Sequence, residues 1–368
     1  ILYYTMHFFI FFFLLIAYCH VSMIINNVPI QVRNFRRLVM KKLALLFIIA
    51  LLALPFAFAQ GEKEASGPKS YTVNVASAFA PEGPIHDVIV NFKNQVEKET
   101  NGRVKVVIHA SGSLGGEREI VEGLSAGTIE MGAQGIMDLT LYAPQFTVFE
   151  EPFVIRDLDH LNKFWNTIGV DLNKQAGEKT GIITAGYAIR GARMITANSP
   201  IRSSADFKGL KFRLPSLPVR IKVFEAMGAI PTVVDFPEVY MALKTGTIDA
   251  QENPPETIYS YKYYEAQKYL ILSRHVWSTA RYQMSKKWFD TLTAEDQALF
   301  TKAWADASAK VRAAVPDPDS VYIKKLQEAG MTIIEPNMDE FRRLAEPVMA
   351  GFDKTMWLPG LRQQIMAL

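Results

Sequence analysis

Hydrophobic and polar positions change their period along the chain in the order strand, helix, strand, helix, strand. Alternation of apolar and polar residues predicts strands at Tyr71–Ala76 and Arg103–His109, and a short third strand is predicted at Thr128–Ala133. Apolar residues at helical spacing predict one helix in each gap between these strands. These apolar residues are Ile85, Val88, Ile89, Phe92 and Val96 in the first gap, and Ile120, Val121 and Leu124 in the second. This order predicts an open parallel sheet with helices on both faces.

A second series of strands and helices is predicted from Gly191 onward. Leu210–Leu214 alternates as a strand with one buried face would, and Pro215 stops it. A further strand is predicted around Ile248, and a helix follows each of Pro215 and Pro237. The remaining predicted elements are a helix at 158–177, a strand at 181–188, a helix at 293–315, a strand at 331–335 and a last helix from 339. The whole pattern is typical of an α/β protein.

The first part of the chain has the features of an export signal and not of a folded domain. Met40 opens a run in which two lysines precede the apolar stretch Leu43–Leu54 and the small-residue motif ends at Ala59. Residues 40–59 are therefore predicted to be a cleaved signal peptide. An uncleaved membrane anchor is the alternative, but the apolar run is shorter than the roughly 20 residues that a span needs. Residues 1–39 precede this start and are interpreted as an upstream extension, or alternatively as a first membrane segment. Residues 60–70 are predicted to be a flexible leader.

Charge and cysteine content change once residues 1–59 are set aside. They hold five basic and no acidic residues, so Lys+Arg falls from 40 to 35 against 37 Asp+Glu in the rest. This near-neutral balance removes the argument for nucleic-acid binding. The single cysteine, Cys19, lies in the doubtful extension, so no disulfide, thiol nucleophile or cysteine metal site is expected in the exported chain.

Two arginines in strand-like runs are the main candidates for binding chemistry. Arg213 lies near the end of Leu210–Leu214, and Arg193 lies in the run that follows Gly191. The carboxyl ends of strands in α/β sheets face the crevice where ligands bind. A guanidinium can grip a carboxylate through two parallel hydrogen bonds. A surface ion pair is the alternative interpretation of Arg213.

Four segments around these arginines resemble one family. They are RMITANSPI, DFKGLKFRLP, FPEVYMALKTGTIDAQENP and YYEAQKYL. They are similar, in order and spacing, to segments of the solute-binding subunits of tripartite ATP-independent periplasmic (TRAP) transporters of the dicarboxylate-binding type. The resemblance extends from about Tyr71 to the C-terminus and is more specific than a single short motif.

The resemblance implies a two-lobed periplasmic binding protein with mixed, mostly parallel sheets and a ligand cleft between the lobes. The lobes are expected at 71–190 plus 279–320 and at 191–278 plus 321–368. Arg213 resembles the arginine that binds the ligand carboxylate, Arg193 a second arginine near the ligand, and Asn253 a polar ligand contact. The implied partners are an organic acid, such as a C4-dicarboxylate, a sugar acid or a keto acid, and the permease subunits of a transporter driven by an ion gradient.

Three further residues are candidate ligand contacts. His86 follows the first strand, Phe236 can lean on a ligand, and Ser216 follows the strand that carries Arg213. Each has a bland alternative, such as a solvated helix start for His86 and a core position for Phe236. No catalytic residue, metal site or cofactor is expected, because no histidine spacing or nucleophile motif of known chemistry occurs.

The sequence therefore predicts a periplasmic protein that binds an organic acid and has no catalytic activity. Two alternatives stay open. One is a secreted hydrolase or lyase for acidic sugars, with Asp235, Glu252 or His275 as acid or base. The other is the binding subunit of an ATP-driven transporter or of a sensor.

Overall fold

Residues 70–368 are the part of the chain that this computed structural model describes, and they belong to one compact unit. The predictions for residues 1–69, including the signal peptide, lie outside the described residues. Within residues 70–368, no helix is both long enough and apolar enough to cross a membrane.

Nine strands in the described part form a single sheet in the order β2-β1-β3-β8-β4-β7-β5-β6, and β9 pairs with β8. The strands are β1 (Tyr71–Ser77), β2 (Val104–His109), β3 (Met131–Gln134), β4 (Ile182–Ala197), β5 (Lys211–Leu214), β6 (Ile230–Val233), β7 (Ala250–Asn253), β8 (Tyr269–Ser285) and β9 (Thr332–Ile334). Five strand pairs are parallel, and the pairs β3–β8, β4–β7 and β4–β8 are antiparallel. The predicted mixed α/β class is confirmed, with one continuous sheet in place of separate ones.

Helices cover this sheet and join its strands. They are α1 (Pro84–Glu99), α2 (Glu117–Ala126), α3 (Met137–Tyr142), α4 (Leu158–Asn166), α5 (Gly169–Thr180), α6 (Pro218–Ala226), α7 (Val239–Lys244), α8 (Pro255–Ser260), α9 (Lys286–Phe289), α10 (Ala294–Ala314), α11 (Pro318–Glu328), α12 (Met338–Thr355) and α13 (Leu361–Met366). The predicted helix at 158–177 is two helices, which the turn at Thr167 separates.

The antiparallel pair of β4 and β8 is the main difference from the prediction. The strand predicted at 181–188 continues without a break to Ala197, and the 17-residue strand β8 was not predicted. Both strands are mostly buried along their length, so apolar and polar residues do not alternate as they do in a half-exposed strand. Such strands carry little periodic signal in the sequence.

Two hydrophobic clusters lie on this scaffold. One contains residues of β1, β2, β3, α1, α2 and α10, and the other contains residues of β5, α4, α6 and α12. β4 and β8 contribute to both clusters, with Ala188 and Ala280 in the first, and Ile189 and Trp277 in the second. Residues 136–176, which were expected in the first lobe, pack mostly in the second cluster. The lobe boundaries stay a prediction.

Candidate functional site

Three strand ends bring the sequence-predicted residues together. β5 pairs in parallel with both β6 and β7, so their carboxyl ends meet at one edge of the sheet. Arg213 lies near the end of β5, Asn253 ends β7, and Phe236 begins the turn that follows β6. This is the edge at which open α/β sheets bind ligands.

A bulge in β4 adds two arginines to the same place. Residues three apart on a regular strand point to opposite faces. In β4, Ile189 and Gly191 pair with consecutive residues of β8, so Arg190 is an extra residue between them. A bulge of this kind bends the strand and re-aims its side chains. Arg190 and Arg193 consequently line one cavity.

The cavity has about 400 Å³ of space that protein atoms do not fill, part of it continuous with solvent. Its lining combines four arginines with apolar and acidic groups: Glu117, Gly135, Ile136, Met137, Glu150, Arg190, Arg193, Arg213, Pro215, Leu217, Arg220, Phe236 and Asn253. Four buried guanidinium groups around one cavity favour an anionic ligand.

Arg213 lies in this cavity without a carboxylate partner. Its side chain is 2% exposed, its Nε donates to the carbonyl oxygen of Val234 at 2.9 Å, and its Nη1 has no hydrogen-bond partner within residues 70–368. Its guanidinium also lies 6.0 Å from the ring centre of Phe236. Burial lowers the pKa of Arg213 to about 10, so it stays charged at neutral pH. An unpaired buried charge is costly, and a ligand carboxylate would offset that cost.

Arg193, in contrast, is already paired. It donates to both carboxylate oxygens of Glu252, to the Glu252 carbonyl oxygen at 2.7 Å and to Asn253 Oδ1 at 3.1 Å. Burial would raise the pKa of Glu252, but the charges of Arg193 and Arg220 and the contact with His275 hold it well below its usual range. The ion pair with Glu252 fixes the orientation of the Arg193 guanidinium. Because Glu252 offsets the charge of Arg193, less of that positive charge is available to a ligand. In these contacts Glu252 neutralises the charge of Arg193.

Arg190 is a cavity residue that the sequence analysis missed. Its Nη2 donates to Thr257 Oγ1 at 3.1 Å, its Nε has no partner within the described residues, and its guanidinium lies 4.6 Å from the ring centre of Phe79. Among residues 70–368, no carboxylate lies within ion-pairing distance of it. Burial lowers its pKa. The segment RGAR, in which a glycine separates two arginines, is the signal that points to it, since glycine often marks a bulge.

Arg220 completes the basic lining at the start of α6. It donates to the carbonyl oxygen of Glu150 at 2.8 Å and lies 3.7 Å from the carboxylate of Glu150 and 3.8 Å from that of Glu252. Arg193 and Arg220 are therefore held by protein carboxylates, while Arg213 and Arg190 are free to pair with a ligand.

Two predicted contacts do not line this cavity. Ser216 lies in the turn between β5 and α6, where Pro215 and Leu217 provide the lining. His86 lies in the first turn of α1, is partly buried, and its Nδ1 has no hydrogen-bond partner in the described part of the chain. Their roles as ligand contacts stay predictions that no measurement has tested.

Two of the three groups suggested for acid or base chemistry, Glu252 and His275, contact each other, whereas Asp235 is exposed. His275 is 3% exposed, with Nδ1 2.8 Å from Ser273 Oγ and Nε2 3.2 Å from Glu252 Oε2. Burial lowers the pKa of His275. Both ring nitrogens therefore contact protein groups. Because His275 contacts Glu252, it helps to hold the carboxylate that pairs with Arg193. Among residues 70–368, no group of three or more acidic, histidine or cysteine side chains is placed to hold a metal ion.

Glu151, next to this network, should make the stability of the protein depend on pH. Burial raises its pKa from the ordinary value of about 4.5 for a glutamate to about 8. The folded protein thus keeps a proton that the unfolded chain has released, and the free energy of unfolding falls as pH rises from about 4.5 to 8. For Glu151→Gln we expect a gain in stability over the wild type of about 1 kcal/mol at pH 5.5, which grows to several kcal/mol at pH 8, with about 4 kcal/mol as an upper bound.

Urea unfolding of both proteins at pH 5.5 and pH 8 tests this expectation. Glu150→Gln is the matched control, because Glu150 accepts hydrogen bonds from the backbone and hydroxyl of Thr279 at 2.8 and 2.7 Å. That variant should lose stability at both pH values. Equal losses for Glu151→Gln at both pH values would contradict a buried neutral Glu151.

The fold and the arginine-lined cavity are typical of a solute-binding protein. The chain belongs to family 7 of the bacterial extracellular solute-binding proteins, the DctP family, whose model matches residues 75–355. The predicted resemblance is confirmed, and the function class is solute binding in transport.

Three relatives illustrate the family. The 2,3-diketo-L-gulonate-binding periplasmic protein YiaO of Escherichia coli is 32% identical over 251 residues, which is 68% of this chain and 76% of YiaO. A TRAP periplasmic solute-binding protein from Polaromonas, solved with D-erythronate, is 31% identical with a TM-score of 0.76, and covers 81% of this chain and 99% of its own. A TRAP periplasmic solute-binding protein from Roseobacter denitrificans, solved with L-galactonate, is 27% identical with a TM-score of 0.76. The match covers 82% of this chain and 99% of the Roseobacter chain.

Proposed function

We propose that this protein captures an organic acid in the periplasm, with sugar acids as the first candidates, and presents it to the permease of a TRAP transporter. The observation that carries the proposal is the buried guanidinium of Arg213, which has an unpaired Nη1 and no carboxylate within ion-pairing distance in the described residues. A ligand carboxylate is the group that matches it in charge and shape.

The other cavity residues suit the remainder of such a ligand. Arg190 offers a second cation, and Asn253, Glu117 and Glu150 offer polar groups for hydroxyls. The relatives bind 2,3-diketo-L-gulonate, D-erythronate and L-galactonate, each of which has one carboxylate and several oxygen substituents. A cavity that offers cations to one carboxylate and polar groups to several oxygen substituents would suit an acid of the same class.

Closure of the protein around the ligand would strengthen this pairing. Phe79, which follows β1, packs edge-on against Phe236 with ring centres 5.7 Å apart, and Tyr261 donates to the carbonyl oxygen of Ala78. These contacts join the two sides of the cavity. Because water is excluded, the ion pair between ligand and arginine gains strength. Hinge closure around a ligand is the usual motion of periplasmic binding proteins.

Calorimetric titration of the purified protein with an acid panel tests the proposal. The panel contains L-galactonate, D-erythronate, 2,3-diketo-L-gulonate and succinate, with galactose as the neutral control. We expect one molecule of one acid to bind per chain, without consumption of the acid. At a hundred times its dissociation constant, that acid should add about 2.7 kcal/mol to stability. Binding of galactose alone would refute the carboxylate site, and steady loss of the acid would indicate an enzyme.

A further inference from the structure

The β4 bulge that carries both cavity arginines is held from outside the cavity. The backbone angle φ of Gly191 is +99°, a conformation that residues with a β-carbon rarely adopt. Ala192, the next residue, donates its backbone N–H to both carboxylate oxygens of Asp319 at 2.9 and 3.2 Å. Asp319 lies 127 residues away in sequence.

The glycine and the aspartate fit together. A β-carbon at position 191 would overlap the carboxylate of Asp319. The Asp319 side chain therefore fills the space that a residue with a side chain would need, and it is itself 7% exposed. Asp319 lies in the first turn of α11, where Asp317 caps its backbone N–H at 3.1 Å. The start of this helix thus presents a fixed acceptor to the bulge.

We propose that Asp319 is a positioning residue for ligand binding: by holding the Ala192 N–H, it keeps the bulge in the form that directs Arg190 and Arg193 into the cavity. This inference rests on the proposed function, because the affinity for an acid is its main readout. Asp319 does not line the cavity, so its effect passes through the backbone of β4.

Substitution of Asp319 separates this role from general stability. Asp319→Ala removes the acceptor, and we expect the affinity for the panel acid to fall by about 10- to 100-fold, the effect of leaving a buried backbone donor without its acceptor. Asp319→Asn keeps one oxygen that can accept from Ala192. It should restore the affinity to within about threefold of the wild type. Rescue by asparagine is expected of a hydrogen-bond acceptor and not of a negative charge.

Thr293→Ala is the control for helix destabilisation. Thr293 caps α10 by accepting the backbone N–H of Asp296 at 3.2 Å, and it makes no hydrogen bond to β4. This variant should lose stability as Asp319→Ala does, while its affinity stays unchanged. Hydrogen exchange supplies a readout without ligand, since the amide of Ala192 should exchange faster in Asp319→Ala and at the wild-type rate in Thr293→Ala.

The full chain is titrated with L-galactonate, D-erythronate, 2,3-diketo-L-gulonate and succinate in wild type and variants. If the wild type binds an acid and Asp319→Ala binds it equally well, or if asparagine and alanine weaken it equally, this inference is wrong while the proposed function stands. If the wild type binds none of the four acids, the proposed function fails and the inference falls with it. Unchanged exchange at Ala192 in Asp319→Ala would also overturn it.

Discussion

Replacing Arg213 with methionine should weaken binding of the acid that the wild type prefers by about 100-fold or more. The buried guanidinium of Arg213 has an unpaired nitrogen, and among residues 70–368 no carboxylate lies within ion-pairing distance of it. Removing one partner of a buried, hydrogen-bonded charge pair costs 2–5 kcal/mol, so a loss of about 3 kcal/mol, or more than 100-fold in affinity, is expected. Titration calorimetry of both proteins with the same acid measures it.

The same substitution should leave the ligand-free protein at least as stable as the wild type. Methionine fills a similar apolar volume and removes a buried charge that only one hydrogen bond to Val234 offsets. A melting temperature that is equal or higher, together with lost binding, would separate a binding group from a structural one.

Lys222→Met is the matched control for Arg213→Met. Lys222 is exposed and pairs with Glu225 at 2.7 Å on the surface of α6. The Lys222→Met substitution removes one positive charge, as Arg213→Met does. It should change neither the affinity nor the free energy of unfolding by more than about 0.5 kcal/mol. If Arg213→Met unfolds the protein or keeps its affinity, Arg213 is a structural residue.

Glu252→Ala should destabilise the protein more than any other single change considered for this site. Its carboxylate neutralises Arg193, lies 3.8 Å from Arg220 and contacts His275, and all four side chains are buried. Removing one partner of a buried ion pair leaves an uncompensated charge and costs about 3–5 kcal/mol. Urea unfolding at pH 7 should therefore show a lower midpoint with an unchanged slope.

A second substitution shows whether the unpaired charge is the cause. Arg193→Met combined with Glu252→Ala should recover part of the loss, because it removes the arginine that was left without a partner. Asp290→Ala, which breaks the exposed pair with Lys286, should cost no more than about 0.5 kcal/mol. If the two substitutions change the free energy of unfolding additively in the double variant, Glu252 acts through packing and not through its charge.

The local pattern of the sequence was sufficient for most of the fold. β1, α1, β2 and the long helix α10 lie where alternation and helical spacing placed them, within a few residues. These elements are half exposed or amphipathic, so neighbouring residues carry the signal of their structure. The same reasoning placed Arg213 at the end of β5, because a proline stops that strand.

The buried pair β4 and β8 escaped this reasoning, since a strand that is covered on both faces shows no alternation. Without that pair, the bulge at Gly191 and the presence of Arg190 in the cavity were not predictable. The run RGAR is visible in the sequence, but its effect depends on the register of β4 against β8.

The sequence by itself supplied the class of fold, the strand-end arginine and the family segments, all of which depend on residues close together in the chain. The tertiary structure alone decided which arginines are paired. Arg193 and Glu252 are 59 residues apart, and Ala192 and Asp319 are 127 apart. Their contacts arise from strand register and from the docking of α11 on β4, because a charge is satisfied by whichever group the folded chain brings near it.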